Sequence, residues 1–311
     1  MCRGSRAPLC NFLAATTTAV AALAPAPAKG RHFRTSVAEF THIARVGIEV
    51  VFESLNTRGE GFWDGISFSI RSVLDFLEAV FTQTPWIVVS SFIIALTALS
   101  AGLRAAIYTS AFLAITGLVG LWVLSMQTLA LLGTAALIAI GLGIPLGIFC
   151  ARHPRAYAIV RPILDFQQTM PAFVYMIPII LFFGAGKPAA VVTCLIFGMP
   201  PTVRLTVLGL NGVPESIREA AIAYGASNWY LMTRIDLPLA APSIRAGMNQ
   251  TILLSLLTVV VASLIGAKGL GEKVLEALQY ADVGQGLLAG FAILFLAMIL
   301  DRIVQGRRKR V

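Results

Sequence analysis

The chain has 311 residues, 57% of them hydrophobic and 13% charged, about half the charged fraction of an ordinary globular protein. So few charges cannot cover a water-facing surface, which excludes a disordered chain, a disulfide-stapled secreted module and a soluble enzyme, and makes lipid the expected solvent. The net charge of +9 comes from only 24 Lys and Arg residues, so their placement matters more than their sum.

The first 36 residues, with Arg3 and Arg6 ahead of an apolar, threonine-rich stretch, have features of a signal peptide and equally of a disordered extension or an overlong start. Residues 1–61 are expected to form an extracytoplasmic tail, partly disordered, with weak helical periodicity at Val37, Phe40, Ile43, Val50 and Val51. From 62 to 85 the pattern sharpens. Ile66, Ile70, Val73, Leu74, Leu77, Val80 and Phe81 share one helical face, and Arg71, Asp75 and Glu78 share the other. This predicts an amphipathic helix lying in the interface or packed on a bundle, not a span.

A membrane helix needs about 20 apolar residues. The stretch 79–103 supplies the first, with its core from Trp86. Between Arg104 and Arg152 lie 47 residues without a charge. As one helix they would extend roughly 70 Å, so they must fold into two spans. The break is expected near Ser125, Met126 and Gln127, which assigns two helices to 86–126. Stretches 166–186, 188–203, 246–267 and 283–300 complete seven spans, the fifth being short.

Basic residues mark cytoplasmic loops. Arg152, Arg155 and Arg161 follow span three, Arg218, Arg234 and Arg245 follow span five, and Arg302, Arg307, Arg308, Lys309 and Arg310 follow span seven. The alternate loops hold only Lys187, Lys268 and Lys273. All agree with one topology in an inner membrane: N-terminus outside, C-terminus cytoplasmic, with 306–311 as a basic tail. The positive charge orients helices, and no nucleic-acid role is needed for it.

Several chemistries lack their residues. Cys2, Cys10, Cys150 and Cys194 have no metal-binding spacing, and His32, His42 and His153 are scattered, so neither a metal site nor a catalytic set is expected. No phosphate-binding loop occurs; the nearest approach, 266–271, continues with Glu272 where lysine is needed. The chain is therefore not expected to hydrolyse ATP or to hold a cofactor itself. Acidic residues are nearly missing from the spans, which weighs against an ion-coupled secondary transporter without eliminating it.

The loop 211–243 is unusually long. Pro214 and Glu215 suit a helix start, Gly225 a stop, and Ala226, Ser227 and Asn228 a new cap, with a second short helix through Trp229, Leu231 and Met232. Pro238 and Pro242 punctuate the return to the membrane. A helix–turn–helix with one small-residue surface fits a partner's groove; an amphipathic connector lying on headgroups fits the same pattern.

Residues 219–238, EAAIAYGASNWYLMTRIDLP, resemble the EAA signature of ABC-importer permeases: Glu219, Ala220, Ala221, Gly225, Ile235, Leu237 and Pro238 stand at the family's spacings. The stretches 141–180, 200–214 and 247–271 are similar to the glycine betaine/proline (choline) permease subunit, a binding-protein-dependent transport inner-membrane component. The resemblance covers about 62–305. It implies an all-α integral membrane protein with a type I importer (MetI-like) core over 127–305. It also implies a permease homodimer, two cytoplasmic ABC ATPase subunits that bind the ATP and Mg, and an extracytoplasmic substrate-binding protein. The Glu219 helix would then be the coupling helix. Glu219 would accept hydrogen bonds from the ATPase or stabilise its own helix terminus.

The implied cargo is a quaternary ammonium solute such as glycine betaine, proline betaine or choline; another small ligand, an amino acid or oxyanion, is the alternative. Candidate pathway residues are Gln167, Gln168 and Thr169 before Pro171, Phe173 after it, and Asn249 and Gln250 ahead of Thr251. Each polar residue reads as a pore lining or as an interhelical hydrogen bond. Gly133, Gly141, Gly143 and Gly147 are expected to serve close packing.

Overall fold

A computed structural model describes residues 31–306, so residues 1–30 of the signal-like segment and the tail beyond Gly306 lie outside the described residues. Among the described residues every regular element is helical. Helix α1 (Arg31–Arg58) belongs to a unit that ends at Arg58; its Val50 and Val51 are exposed.

The second unit begins at Gly59. Helix α2 (Glu60–Gln83) is the amphipathic helix, and it packs on the bundle: Ile70 and Leu74 are buried, Ile66, Leu77 and Phe81 lie against the same core, and Val73 and Val80 stay at the exposed margin. Pro85 ends it, and α3 (Trp86–Ala101) leaves at 108°. Gly102 turns the chain into α4 (Leu103–Leu118).

The next break falls at Val119–Leu121, earlier than the expected Ser125–Gln127, because Gly120 supplies the left-handed conformation of the turn. Ser125, Met126 and Gln127 lie inside α5 (Trp122–Arg152). Polar Gln127 there marks a contact, not a loop: its Nε2 donates to Glu78 Oε1 of α2 at 3.2 Å.

The expected span 166–186 is two helices, α6 (Pro154–Thr169) and α7 (Ala172–Phe183), bent by 104°. Pro171 has no N–H to continue α6 and holds Met170 extended (ψ 135°). The fifth span is not short. Helix α8 (Lys187–Asn211) runs 25 residues, straight through Pro200 and Pro201. Helix α9 (Glu215–Ala223), the short α10 (Asn228–Tyr230) and a π-helical stretch (Leu231–Asp236) lead into α11 (Leu237–Leu257). The sixth span thus starts well before 246 and is interrupted at Thr258, with α12 (Val259–Ser263) beyond. Helices α13 (Leu270–Tyr280) and α14 (Val283–Gln305) close the fold.

By length and apolarity α5, α8 and α14 each suffice to cross a membrane, and the bent pairs α2–α3 and α6–α7 raise the number to five. With α4 and α11, both built on expected spans, the architecture approximates the seven read from the sequence.

Helix α8 is the hub, with Ala189, Ala190, Val191 and Cys194 fully buried. It packs against α5 and α11 through glycines. A Cβ at Gly147 would stand 2.6 Å from Thr206 Cβ, and one at Gly143 3.0 Å from Thr202 Cγ2, so these two glycines of α5 do serve close approach. Gly133 and Gly141 do not: Leu77 stands 3.9 Å from the one, and nothing lies within 4 Å of the other.

Candidate functional site: the elbow between α8 and α11

Pro214, extended at φ −58°, ψ 131°, opens α9, and Glu215 occupies its first turn, where a carboxylate favours the positive helix end. The helix ends in a Schellman arrangement. Gly225, at φ +82°, donates its N–H to the Ile222 carbonyl (2.8 Å), and Ala226 N–H reaches the Ala221 carbonyl (3.0 Å). Ser227 then caps the next turn, its Oγ accepting from Tyr230 N–H at 3.3 Å.

The chain does not loosen afterwards. Pro238 cannot donate and its ring would crowd the preceding turn of an α-helix. The helix widens instead, and Leu237 N–H bonds five residues back to the Met232 carbonyl. Helical structure is therefore continuous from Asn228 to Leu257.

The seven motif residues divide into two sets. Glu219, Ala220 and Gly225 are exposed and Ala221 half-buried, making an outward face. Ile235 and Leu237 are half-buried, Leu237 against a cluster of Leu210, Ala240 and Ile244, and Pro238 is exposed beside them. Glu215, not Glu219, sits at the helix start, so the end-stabilising role falls to Glu215. Glu219 has no side-chain hydrogen bond or ion pair among the described residues and faces outward.

The two sets are tied by a residue that the motif leaves unspecified. Asp236 is 2% exposed. Its Oδ1 accepts from Arg218 Nε at 2.9 Å, and Arg152 Nη2, at the end of α5, lies 3.6 Å from its Oδ2. Arg218 Nη2 also donates to the Leu210 carbonyl of α8 at 2.7 Å. One buried carboxylate thus connects α9, α5 and the π-helical stretch, and Arg218 extends the link to α8. Sequence reasoning passed over Asp236; its only signal was one acid among Glu215 and Glu219 in a loop also marked by Arg218, Arg234 and Arg245.

Outward of this anchor, Ala221, Tyr224, Gly225, Ala226, Ser227 and Tyr230 line a recess of about 440 Å³. Tyr224 in its lining is 93% exposed, and Ile222 and Trp229 (77%) of the same elbow are exposed as well. A cluster of large apolar and aromatic groups held out on a rigid base has the composition of a protein-docking surface.

The candidate pathway residues lie elsewhere, on α6, α7 and α11, all of which pack against α8. Gln167 and Gln168 are half-buried, Phe173 exposed, and Thr169 Oγ1 donates to the Asp165 carbonyl of its own helix at 2.9 Å. Asn249 is half-buried and Gln250 exposed. Gln167 Oε1 and Asn249 Oδ1 are buried with no partner among the described residues, whereas Thr251, two residues after Asn249, is bonded, hydroxyl to hydroxyl, to Thr202 at 2.7 Å. The interhelical reading thus holds for Thr251, and the two amide oxygens are the groups left with capacity to bond something else.

At the far end, α13 is clipped to α14. Lys273 Nζ and Gln285 Nε2 both donate to Glu276 Oε2, at 2.6 and 3.1 Å, which holds the Glu276 carboxyl below its usual range and pushes the Lys273 ammonium up.

Residues 143–311 match the family described as binding-protein-dependent transport system inner membrane component. The chain is 48% identical over 196 residues to the glycine betaine/proline betaine transport system permease protein ProW of Escherichia coli (strain K12). That match takes in 62% of this chain and 55% of the relative, so the chain spans about half of that protein's length. It is 41% identical over 262 residues to the glycine betaine/carnitine transport permease protein GbuB of Listeria monocytogenes serotype 1/2a (strain 10403S), over 82% of this chain and 92% of the relative. Among solved structures, the inward-facing MetNI methionine ABC transporter (CY5 native crystal form) aligns with a TM-score of 0.51 at 22% identity, over 61% of this chain and 93% of that one. This last likeness bears on the fold alone.

Proposed function

The chain belongs to the binding-protein-dependent transport inner membrane component family, and from that premise we propose that it is the membrane-spanning subunit of an ATP-driven importer for quaternary ammonium solutes. Its cargo would be glycine betaine, proline betaine or choline; glycine betaine is the solute that the relatives' names share. The observation that carries the coupling half of this reading is the elbow. Its outward face presents small and aromatic groups, while Asp236, Arg218 and Arg152 lock its base to the bundle.

In this reading two copies of the chain enclose the pathway, and two cytoplasmic ATPase subunits receive the α9–α10 elbows in their clefts. Glu219 and the recess beside Gly225 are the contact. ATPase closure then displaces the elbow, and continuous helix from Asn228 carries the displacement into α11 without a slack joint. The arginine-rich end, with Arg152, Arg218 and Arg302, faces the cytoplasm; the α13 end receives the external binding protein. Gln167, Asn249 and their neighbours Gln168, Thr169, Phe173 and Gln250 line the pathway, and ligand choice rests mainly on the binding protein.

The test is uptake of labelled glycine betaine and of choline in a strain lacking its own systems, with the chain co-expressed with its ATPase and binding protein. Saturable uptake of either, abolished by an ATPase-dead partner, is the expected result. Uptake that persists with the ATPase dead would overturn the ATP-driven reading, and transport of amino acids or oxyanions alone would overturn the cargo.

A further inference from the structure

Where α3 turns into α4, the end of α14 comes alongside: a Cβ at Gly306 would stand 3.6 Å from the Ser100 carbonyl. Between these elements opens a cavity of about 600 Å³. Arg104, Tyr108, Thr109 and Arg302 give it polar groups, and Phe112 and Met298 contribute an apolar wall. Phe112 is itself fixed by stacking on Phe295, with ring centroids 4.3 Å apart.

What sets the two guanidiniums apart is that both line one cavity with an apolar wall. Arg152 and Arg218 have Asp236, Arg204 has Asp165, and Lys187 has Asp75 and Glu78. Neither Arg104 nor Arg302 forms an ion pair among the described residues. Asp301, beside Arg302 in sequence, does not line the cavity. Arg104 also sits in the first turn of α4, which holds no acidic residue, so the partial positive charge of the helix end adds to its own.

The site lies at the arginine-rich end. Leu270 N–H, at the start of α13, donates to Thr128 Oγ1 near the start of α5 (2.8 Å), and α14 then packs through Ile293, Ala297, Leu300 and Val304 on the cluster of Leu132 and Ala136, with Arg302 in its last turn. Four more cations, Arg307, Arg308, Lys309 and Arg310, follow in sequence.

Uncompensated arginines above an apolar slot between membrane helices match one kind of ligand: an amphiphile with an anionic head and a hydrocarbon chain. We propose that this cavity binds an anionic phospholipid, its phosphate held by Arg104 and Arg302 and its acyl chain lying along Phe112 and Met298. Guanidinium suits the phosphate because it offers paired N–H donors. The site is independent of which solute the protein carries.

The full chain, purified in neutral detergent, is offered phosphatidylglycerol and phosphatidylcholine of identical acyl composition, and retained lipid is read by native mass spectrometry. Phosphatidylglycerol is expected to be retained preferentially. The Arg104→Gln/Arg302→Gln double variant is expected to lose that preference roughly ten- to thirty-fold, from about one surface-charge interaction per arginine. Arg104→Lys/Arg302→Lys, which keeps the charge, is expected to keep most of it, separating lost charge from lost folding. Equal retention of both lipids, or an unchanged preference in the Gln variant, would overturn the proposal. So would displacement of phosphatidylglycerol by millimolar inorganic phosphate, which would mark a free-anion site. A Gln variant altered only in oligomeric state would assign the cavity to a second copy of the chain and overturn it as well.

Discussion

Asp236 has nearly no contact with water, yet its partners do: the Arg152 side chain is 39% exposed and that of Arg218 24%. Removing one member of a fully buried ion pair costs about 3–5 kcal/mol. Here water can reach the arginines left behind, so Asp236→Ala is expected to cost about 2 kcal/mol in thermal unfolding of the detergent-solubilised protein. A double-mutant cycle with Arg218→Ala is expected to show coupling of about 1 kcal/mol or more, as contacting charges do. Additive losses would mean that the bond seen at 2.9 Å holds nothing together.

Gly225 makes a different demand. Its Cβ position is open space, with nothing within 4 Å, so a substitution meets no steric wall and costs only the left-handed backbone, about 1 kcal/mol. Gly225→Asp is therefore expected to insert and accumulate like the parent. It would nonetheless place a carboxylate on the docking recess and separate ATP hydrolysis from uptake, measured together in proteoliposomes. Normal uptake by that variant would remove the elbow from the coupling path.

Among elements, α8 and α11 approach so closely that their glycines are not interchangeable. A Cβ at Gly247 would meet Thr202 Cα at 3.1 Å and the Pro201 carbonyl at 3.2 Å, both backbone atoms that cannot step aside. Gly247→Ala is expected to destabilise by about 1–3 kcal/mol through overpacking. Gly141→Ala, on the open side of α5, is expected to be neutral or to stabilise by up to about 1 kcal/mol through helix propensity. Unfolding of the two variants side by side tests whether geometry or residue type decides. The same contrast shows what a sequence can convey. Apolar runs announce that helices exist, and the periodicity of Ile66 to Phe81 shows which face of α2 is buried, because both are local properties. Where a run breaks depends on single residues: Gly120 and Pro171 set the turns, while the more polar Ser125–Gln127 stays helical because Glu78 of another helix satisfies Gln127. The spacing from Glu219 to Pro238 exposed the elbow, but Asp236 stayed hidden because its partner Arg152 lies far upstream and only folding brings them together.

Across the whole molecule the two ends differ in how their charges are balanced. The elbow end collects Arg152, Arg155, Arg161, Arg218, Arg234, Arg245 and Arg302 against few acids. At the α13 end the cations are few and two are neutralised, Lys187 by Asp75 and Glu78 and Lys273 by Glu276. Positive charge near helix ends is retained on the cytoplasmic side during insertion, so this imbalance is expected to place the elbow inside. Two exposed tyrosines report on it directly: Tyr224 on the elbow is 93% exposed and Tyr280 at the end of α13 is 78% exposed. With the four native cysteines replaced, Tyr280→Cys is expected to react with a membrane-impermeant maleimide in intact cells whose outer barrier has been opened. Tyr224→Cys is expected to react only after the inner membrane is permeabilised. The labelling separates two levels of the argument. Both sites reacting from outside would break the bundle topology itself, because α11, which lies between them, would no longer span. A clean inversion, with Tyr224→Cys labelled first, would leave the fold standing but put the elbow beyond the reach of any ATPase that depends on cytoplasmic ATP, and the importer reading would fall with it.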